Sequence, residues 1–322
     1  MEQLILDPDN SRFCNGLQDI GRHRRIQDAD GLYLHFLKKT LHQAADLSGL
    51  TIALDASHGA LSHLAPTLFE SLGAIVHTMG AAPDGRNINA GCGSQHPQKM
   101  AQLAKANGAD LGVAFDGDGD RVIAADEKGT VLTGDQLIAI AAAHWQAHNR
   151  LRPPTVVTTV MSNLGLAECL RRLHIQHLTA QVGDRHVARL MRESGAVIGG
   201  EDSGHIIFAD FHTTGDGLLA ALQLIEIMRT SGKKLSALAD IMTVYPQSLV
   251  NVDVARKPDL ETVPTVKAAI ESIQNRLADT GRVLVRYSGT QPMCRVMVEA
   301  PTQEAAQSAA NEIAAEIRRS VG

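Results

Sequence analysis

The stretch Leu111–Arg121, LGVAFDGDGDR, constrains this chain more than any other. An apolar run ends at Phe115, and three aspartates follow at alternate positions, Asp116, Asp118 and Asp120. Gly117 and Gly119 separate them, and Arg121 leads into a second apolar run, Val122–Ala125. The pattern is strand, acidic loop, strand. Three carboxylates this close repel one another unless positive charge sits among them. Hard oxygen ligands on a short loop suit Mg2+ or Ca2+, and the glycines let the backbone bend so that the carboxylates converge. The alternative is a plain acidic turn capped by glycine. An EF-hand calcium loop counted from Asp116 needs glycine at its sixth position, where Arg121 stands.

Around this stretch the pattern alternates between strand and helix. An amphipathic helix is expected over about Ile26 to Ala45, with Leu32, Phe36, Leu37 and Leu41 on one face. A buried strand at Leu50–Asp55, a helix ending at Gly73, the strand AIVHT, and helices at about Gln98–Asn107 and Asp135–Ala147 complete a first unit. Such alternation is the signature of a parallel sheet covered on both faces. Leu151–Pro154, with its Pro153-Pro154 pair, reads as a stiff linker. A second alternating unit runs from TVVTTVM to about Met242. After Tyr245-Pro246 the order becomes strand, helix, strand, strand, helix, which defines an α+β module. The expected domains are residues 1–150, 151–246 and 247–322: two mixed α/β units and a C-terminal α+β unit. The two α/β units share a layout without a strong repeat in sequence.

Composition excludes several classes. A net charge of -5 gives no broad basic surface for nucleic acid or an anionic membrane, and aromatics at 3% offer few base-stacking platforms. The four cysteines, Cys14, Cys92, Cys169 and Cys294, form no CxxC pair and fit a reducing compartment. The opening MEQLILDPDNSRF lacks the apolar core of a signal peptide, and no apolar run approaches the roughly 20 residues that span a bilayer. A cytoplasmic location is expected.

Three more loops follow strands and mix glycine with charge or hydroxyl, and ligands in open α/β sheets lie at the carboxyl ends of strands. In VGDRHV, Asp184 suits a helix cap, and Arg185 either meets an anion or is a surface charge. In GGEDSGH, Glu201 and Ser203 can hydrogen-bond adjacent hydroxyls of a sugar, and His205 can move a proton; the alternative is a polar turn. In RYSGTQPMCR, Arg286 and Arg295 flank Ser288, Gly289 and Thr290, a nest suited to phosphate, against the alternative of a hairpin with solvated arginines. The dipeptide Ser57-His58 looks like a nucleophile beside its base, yet adjacency in sequence is not the geometry of a catalytic triad.

DGDGDR, GEDSGH and RYSGTQP, in that order, resemble the metal, sugar and phosphate loops of the α-D-phosphohexomutase family. PDGRNINAGCGSQHP, VMSNLGL, VGDRHV, TTGDG and RVMVEA resemble its bacterial branch that acts on glucosamine phosphate. The resemblance implies phosphoryl transfer between the 6- and 1-hydroxyls of a hexose phosphate through an enzyme phosphoserine. It implies Mg2+ on Asp116, Asp118 and Asp120, and Arg121 beside the phosphoryl group. It assigns sugar contacts to Glu201 and Ser203, an acid–base position to His205, and the phosphate clamp to Arg286, Ser288, Gly289, Thr290 and Arg295. Arg185 matches a further basic residue of the substrate site. The family's phosphoserine lies in a TASHNP-like loop of its first domain; these 322 residues contain no such loop, and DASHGA resembles the opening of the second domain. Gln291 stands where relatives usually have Glu after SGT. The expectation is therefore three domains that match the family's second, third and fourth. The phosphoserine domain then belongs to a longer form of this chain or to a separate phosphoserine-domain polypeptide, and a homo-oligomer is the other expected partner. The alternatives are a non-catalytic protein that binds phosphosugar and metal, and specificity for glucose or mannose phosphates.

Overall fold

The computed structural model describes residues 23–41, 46–288 and 291–322. Its first helix, α1 (Ala29–Lys39), is shorter than the apolar spacing suggests; Asp28 caps it by accepting from the Gly31 N–H. Leu37 and Leu41 are buried, but Leu32 is 60% exposed, so the buried face is narrower than expected. Ala45 and its three predecessors lie outside the described residues.

The first sheet contains β1 (Thr51–Asp55), β2 (Ile75–Met79), β3 (Leu111–Phe115), β4 (Val122–Asp126) and β5 (Val131–Leu132), in the order β2-β1-β3-β4-β5. Strands β2, β1 and β3 run parallel, joined through α2 (Leu64–Ser71) and α3 (Gln98–Ala106). The sheet is mixed, as expected of these units: the parallel pairing that strand–helix alternation signals ends at β3, and β3, β4 and β5 are antiparallel. The reason is the connection length. Loop 116–121 is too short for a parallel crossover, so it closes a hairpin. Helix α4 (Gly134–Ala147) follows, started by a capping box between Thr133 and Gln136.

The second sheet contains β6 (Thr155–Thr159), β7 (Gln176–Ala180), β8 (Ile198–Gly200) and β9 (Ile206–Phe208), with α5 (Leu164–Arg172) and α6 (Asp184–Ser194) as crossovers. Its order, β7-β6-β8-β9, repeats the first four positions of the first sheet, parallel except for the last strand. DGDGDR and EDSGH are therefore equivalent hairpin loops. Each closes with the same turn: the Gly119 N–H donates to Asp116 O at 3.2 Å, and the Gly204 N–H to Glu201 O at 3.0 Å. Both glycines have positive φ, 80° and 92°. The loops also pair with each other through a bridge between Arg121 and His205 and a 3.1 Å bond from Val122 N–H to Gly204 O.

The second unit ends with α7 (Gly217–Ser231) and α8 (Leu235–Ala239). One apolar core runs through both α/β units, with Trp145 of α4 wholly buried and 5.3 Å from Phe208. Leu151, in the stretch read as a linker, is itself buried in this core. The third unit contains β10 (Gln247–Asp253), α9 (Pro264–Leu277), β11 (Arg282–Tyr287), β12 (Met293–Glu299) and α10 (Gln303–Val321). Its sheet is antiparallel, ordered β10-β12-β11. Its core, which includes Val252, Val296 and Ile313, is separate from the first. Among the described residues no helix is long and apolar enough to cross a membrane.

The paired loops leave no room for a side chain at Gly204, where an added Cβ would lie 2.2 Å from Val122 O. With its positive φ as well, Gly204→Ala is expected to cost at least about 2 kcal/mol. The check is the urea midpoint, which should fall markedly against wild type.

Candidate functional site

The site begins at the carboxyl end of β3. Carboxylate oxygens of Asp116, Asp118 and Asp120 all lie within 4.8 Å of one another. Asp116 is buried, Asp120 is partly buried and Asp118 is exposed. The Arg121 N–H donates to Asp116 Oδ1 at 3.1 Å. Its guanidinium Nε lies 3.8 Å from Asp116 and 3.6 Å from Asp120, close enough to lower their repulsion but too far for a good hydrogen bond. Asp120 Oδ1 and Arg121 Nε are both buried without a hydrogen-bond partner. Burial, followed by the neighbouring Asp120, pushes the Asp116 carboxyl up to about 7. A convergent carboxylate set with an orphaned buried oxygen is what a divalent cation needs, so these residues fit a metal site.

The second unit completes the arrangement. His205 is 2% exposed. Its Nδ1 lies 3.0 Å from Asp120 Oδ2, and its Nε2 accepts from the Gly215 N–H at 3.2 Å. Because Nε2 must accept, the proton belongs on Nδ1, which donates to Asp120. Both ring nitrogens are thus engaged within the protein. Gly215 itself precedes Asp216, which caps α7 and accepts from the Tyr33 hydroxyl at 2.9 Å.

Glu201 accepts from the Gly183 N–H at 2.9 Å, so the loops GEDSGH and VGDRHV touch. Ser203 and Arg185 are exposed on these same loops. A cavity of about 370 Å³ is lined by Arg121, by Ser94 and Gln95, and by Asp202 and Ser203. Ser57 is fully buried, and its hydroxyl donates to Ala56 O, which leaves it no access to a ligand.

In the third unit Arg286 and Arg295 lie directly opposite on β11 and β12. Like charges facing each other across a ladder destabilise it unless an anion or other partner intervenes. Arg295 Nε is buried and unpartnered. Ser288 is buried, its Oγ accepts from the Gln291 N–H, and its carbonyl accepts from Lys257 Nζ at 2.6 Å. Gly289 and Thr290 lie outside the described residues. Arg286 reaches the second unit, with Nη2 4.0 Å from Met161 Sδ.

Three supporting residues escaped the sequence reading. Asp55, wholly buried, accepts from the N–H groups of Ser57 and Gly93 and so braces two loops near the metal loop. A charge ending the apolar run LTIALD was its only signal. Asp135, also wholly buried, accepts from the Asn163 N–H at 2.6 Å. Burial and the nearby Asp202 push its carboxyl up to about 8. Lys257 had no pattern to mark it.

Comparison with known proteins agrees with this geometry. Models of the phosphoglucomutase/phosphomannomutase family match in order: alpha/beta/alpha domain II over residues 32–129, alpha/beta/alpha domain III over 133–245, and the C-terminal domain over 249–316. The chain belongs to this family. Phosphoglucosamine mutase of Syntrophus aciditrophicus is 48% identical over all 322 residues, which span 72% of that protein. Phosphoglucosamine mutase of Geobacillus thermodenitrificans is 51% identical over the same length, spanning 71% of it. Within the family, the chain is a phosphohexomutase of the phosphoglucosamine mutase type. Among solved structures, Aspergillus fumigatus N-acetylphosphoglucosamine mutase in complex with GlcNAc-6P and magnesium superposes with a TM-score of 0.74 at 20% identity, over 90% of this chain and 70% of that one. A family protein from Burkholderia thailandensis gives 0.72 at 22%, over 91% and 64%. These likenesses confirm the fold.

Asp116 and Asp135 have raised carboxyl pKa values, so each stabilises the folded state fully below about pH 4. That contribution is lost as pH rises through about 7 for Asp116 and about 8 for Asp135. In EDTA, the urea midpoint should therefore fall between pH 5.5 and pH 8.5. A divalent cation should restore more stability at pH 8.5 than at pH 5.5, because it competes with the proton for Asp116. Asp116→Asn should flatten the pH dependence and abolish most of the cation effect. A cation effect equal at both pH values would count against the site.

Proposed function

We propose that this chain carries the metal, sugar and phosphate sites of a mutase that interconverts glucosamine 6-phosphate and glucosamine 1-phosphate. The observation that carries the reading is the pairing of two equivalent loops. It sets the carboxylates of Asp116, Asp118 and Asp120 beside the loop of Glu201 and Ser203, with Arg121 between them. Relatives named phosphoglucosamine mutase, similar along the whole chain, support the amino-sugar substrate.

The three aspartates would hold Mg2+, which, when bound, neutralises charge on a transferring phosphoryl group. Arg121, fixed beside them, adds a guanidinium to the same charge, an effect that matters most as the transition state forms. Glu201 and Ser203 hydrogen-bond sugar hydroxyls, and Arg185 adds positive charge at the edge of that loop. Arg286, Ser288, Gly289, Thr290 and Arg295 clamp the phosphate that is not reacting, so the sugar is held at both ends. His205 keeps Asp120 oriented; with both nitrogens engaged, we assign it to that task rather than to carrying a proton. The phosphoserine that gives and reclaims the phosphoryl group comes from outside these residues, and the chain works in the cytoplasm.

Calorimetry with Mg2+ should show glucosamine 6-phosphate binding. Arg286→Ala should weaken it by about 2 kcal/mol, near thirtyfold. With glucosamine 1,6-bisphosphate as primer, turnover should depend on adding the phosphoserine domain of a relative. Binding without turnover under both conditions would instead establish a non-catalytic phosphosugar-binding protein. No binding at all would overturn the reading.

A further inference from the structure

The third unit shares no apolar core with the other two among the described residues, so its seat must rest on other contacts. Those contacts converge on the loop 160–163, part of the VMSNLGL stretch. Arg282 of β11 spends its guanidinium there: Nη1 donates to Val160 O at 3.3 Å and Nη2 to Ser162 O at 2.6 Å. Its Nε donates at 3.0 Å to Glu299 of β12, which is wholly buried. The same Glu299 oxygen accepts from the Leu164 N–H at 3.1 Å, at the first turn of α5, and the other accepts from Gln247 at 3.1 Å. A carboxylate at a helix N-terminus is favourable, and a guanidinium with all three nitrogens bound holds one orientation.

The clasp is continuous with both ends of the substrate site. Asn163 Nδ2 donates to Tyr245 O at 2.9 Å and its Oδ1 accepts from the Tyr245 N–H at 3.0 Å, gripping the connection between the second and third units. The Asn163 N–H donates to Asp135, whose own N–H donates to Asp202 of the GEDSGH loop at 3.3 Å. On the other side, Met161 of the same loop touches Arg286.

We propose that Arg282, through Glu299, is a positioning residue that sets the distance between the phosphate clamp at Arg286 and the sugar loop at Glu201 and Ser203. This rests on the reading that a sugar phosphate is held at both ends. A ligand gripped by two units binds well only when their spacing is fixed beforehand, because otherwise binding must order them. A ligand gripped by the third unit alone does not sense that spacing.

The test compares two ligands on one protein, titrated calorimetrically with Mg2+ present. Inorganic phosphate reports the clamp, and glucosamine 6-phosphate reports clamp and sugar loop together. Wild type should bind glucosamine 6-phosphate more tightly than phosphate; if it does not, the two-ended reading itself fails. Given that preference, Arg282→Met should raise the Kd for glucosamine 6-phosphate tenfold or more and leave that for phosphate within twofold. Arg282→Lys should recover part of the loss. Because Arg282→Met leaves a buried carboxylate without its counter-charge, the double variant Arg282→Met/Glu299→Gln keeps the test valid if the single variant does not fold, and it should show the same split. Equal losses for both ligands, or no loss for either, would overturn the proposal.

Discussion

Charge repulsion on one short hairpin sets the terms for this molecule. Asp116, Asp118 and Asp120 crowd a loop whose carboxylate oxygens approach within 4.8 Å. Such a loop persists only if its neighbours neutralise or orient the charges. Arg121 does part of this from within the loop, and His205 does part from the other α/β unit, donating to Asp120. The metal loop is thus complete only when two units are packed together. Their common apolar core, centred on Trp145 and Phe208, keeps that packing in place.

The two units are the same design used twice. Their sheets share the order of the first four strands, and each hairpin loop closes on a glycine of positive φ. Use has diverged at equivalent positions: one loop gathers carboxylates, while the other offers Glu201, Ser203 and His205. Back-to-back pairing of the loops turns a topological repeat into a single composite site. The third unit is joined differently. With a core of its own, it rests on hydrogen bonds and a half-buried ion pair, which fix direction more sharply than apolar contact does.

Much of this was legible beforehand. Strand β3, the acidic loop, the long helices α4, α9 and α10, and the three-unit order all followed from periodicity and glycine placement. Boundaries were less legible where propensity met tertiary context: α1 ends early, and Leu32 faces solvent. The antiparallel run from β3 to β5 was available in principle from the shortness of loop 116–121, whereas strand–helix alternation signals only parallel pairing. Asp55, Asp135 and Lys257 were missed because the partners that give them their roles, Gly93, Asn163 and Ser288, lie far away in sequence, and no local pattern records such a partner.

By itself, the sequence determined the chemical inventory and the family: three carboxylates on one loop, Glu201, Ser203 and His205 on a second, paired arginines on a third. Each is a local property, written within a few residues, because strand, turn and ligand type depend on near neighbours. The tertiary structure alone decided what those loops do to one another. It placed His205 under Asp120 rather than in solvent, buried Ser57, paired the acidic loop with the loop of Glu201 and Ser203, and seated the third unit through Arg282 and Glu299. These are contacts between residues many positions apart, and burial and hydrogen bonding at that range exist only once the chain has packed.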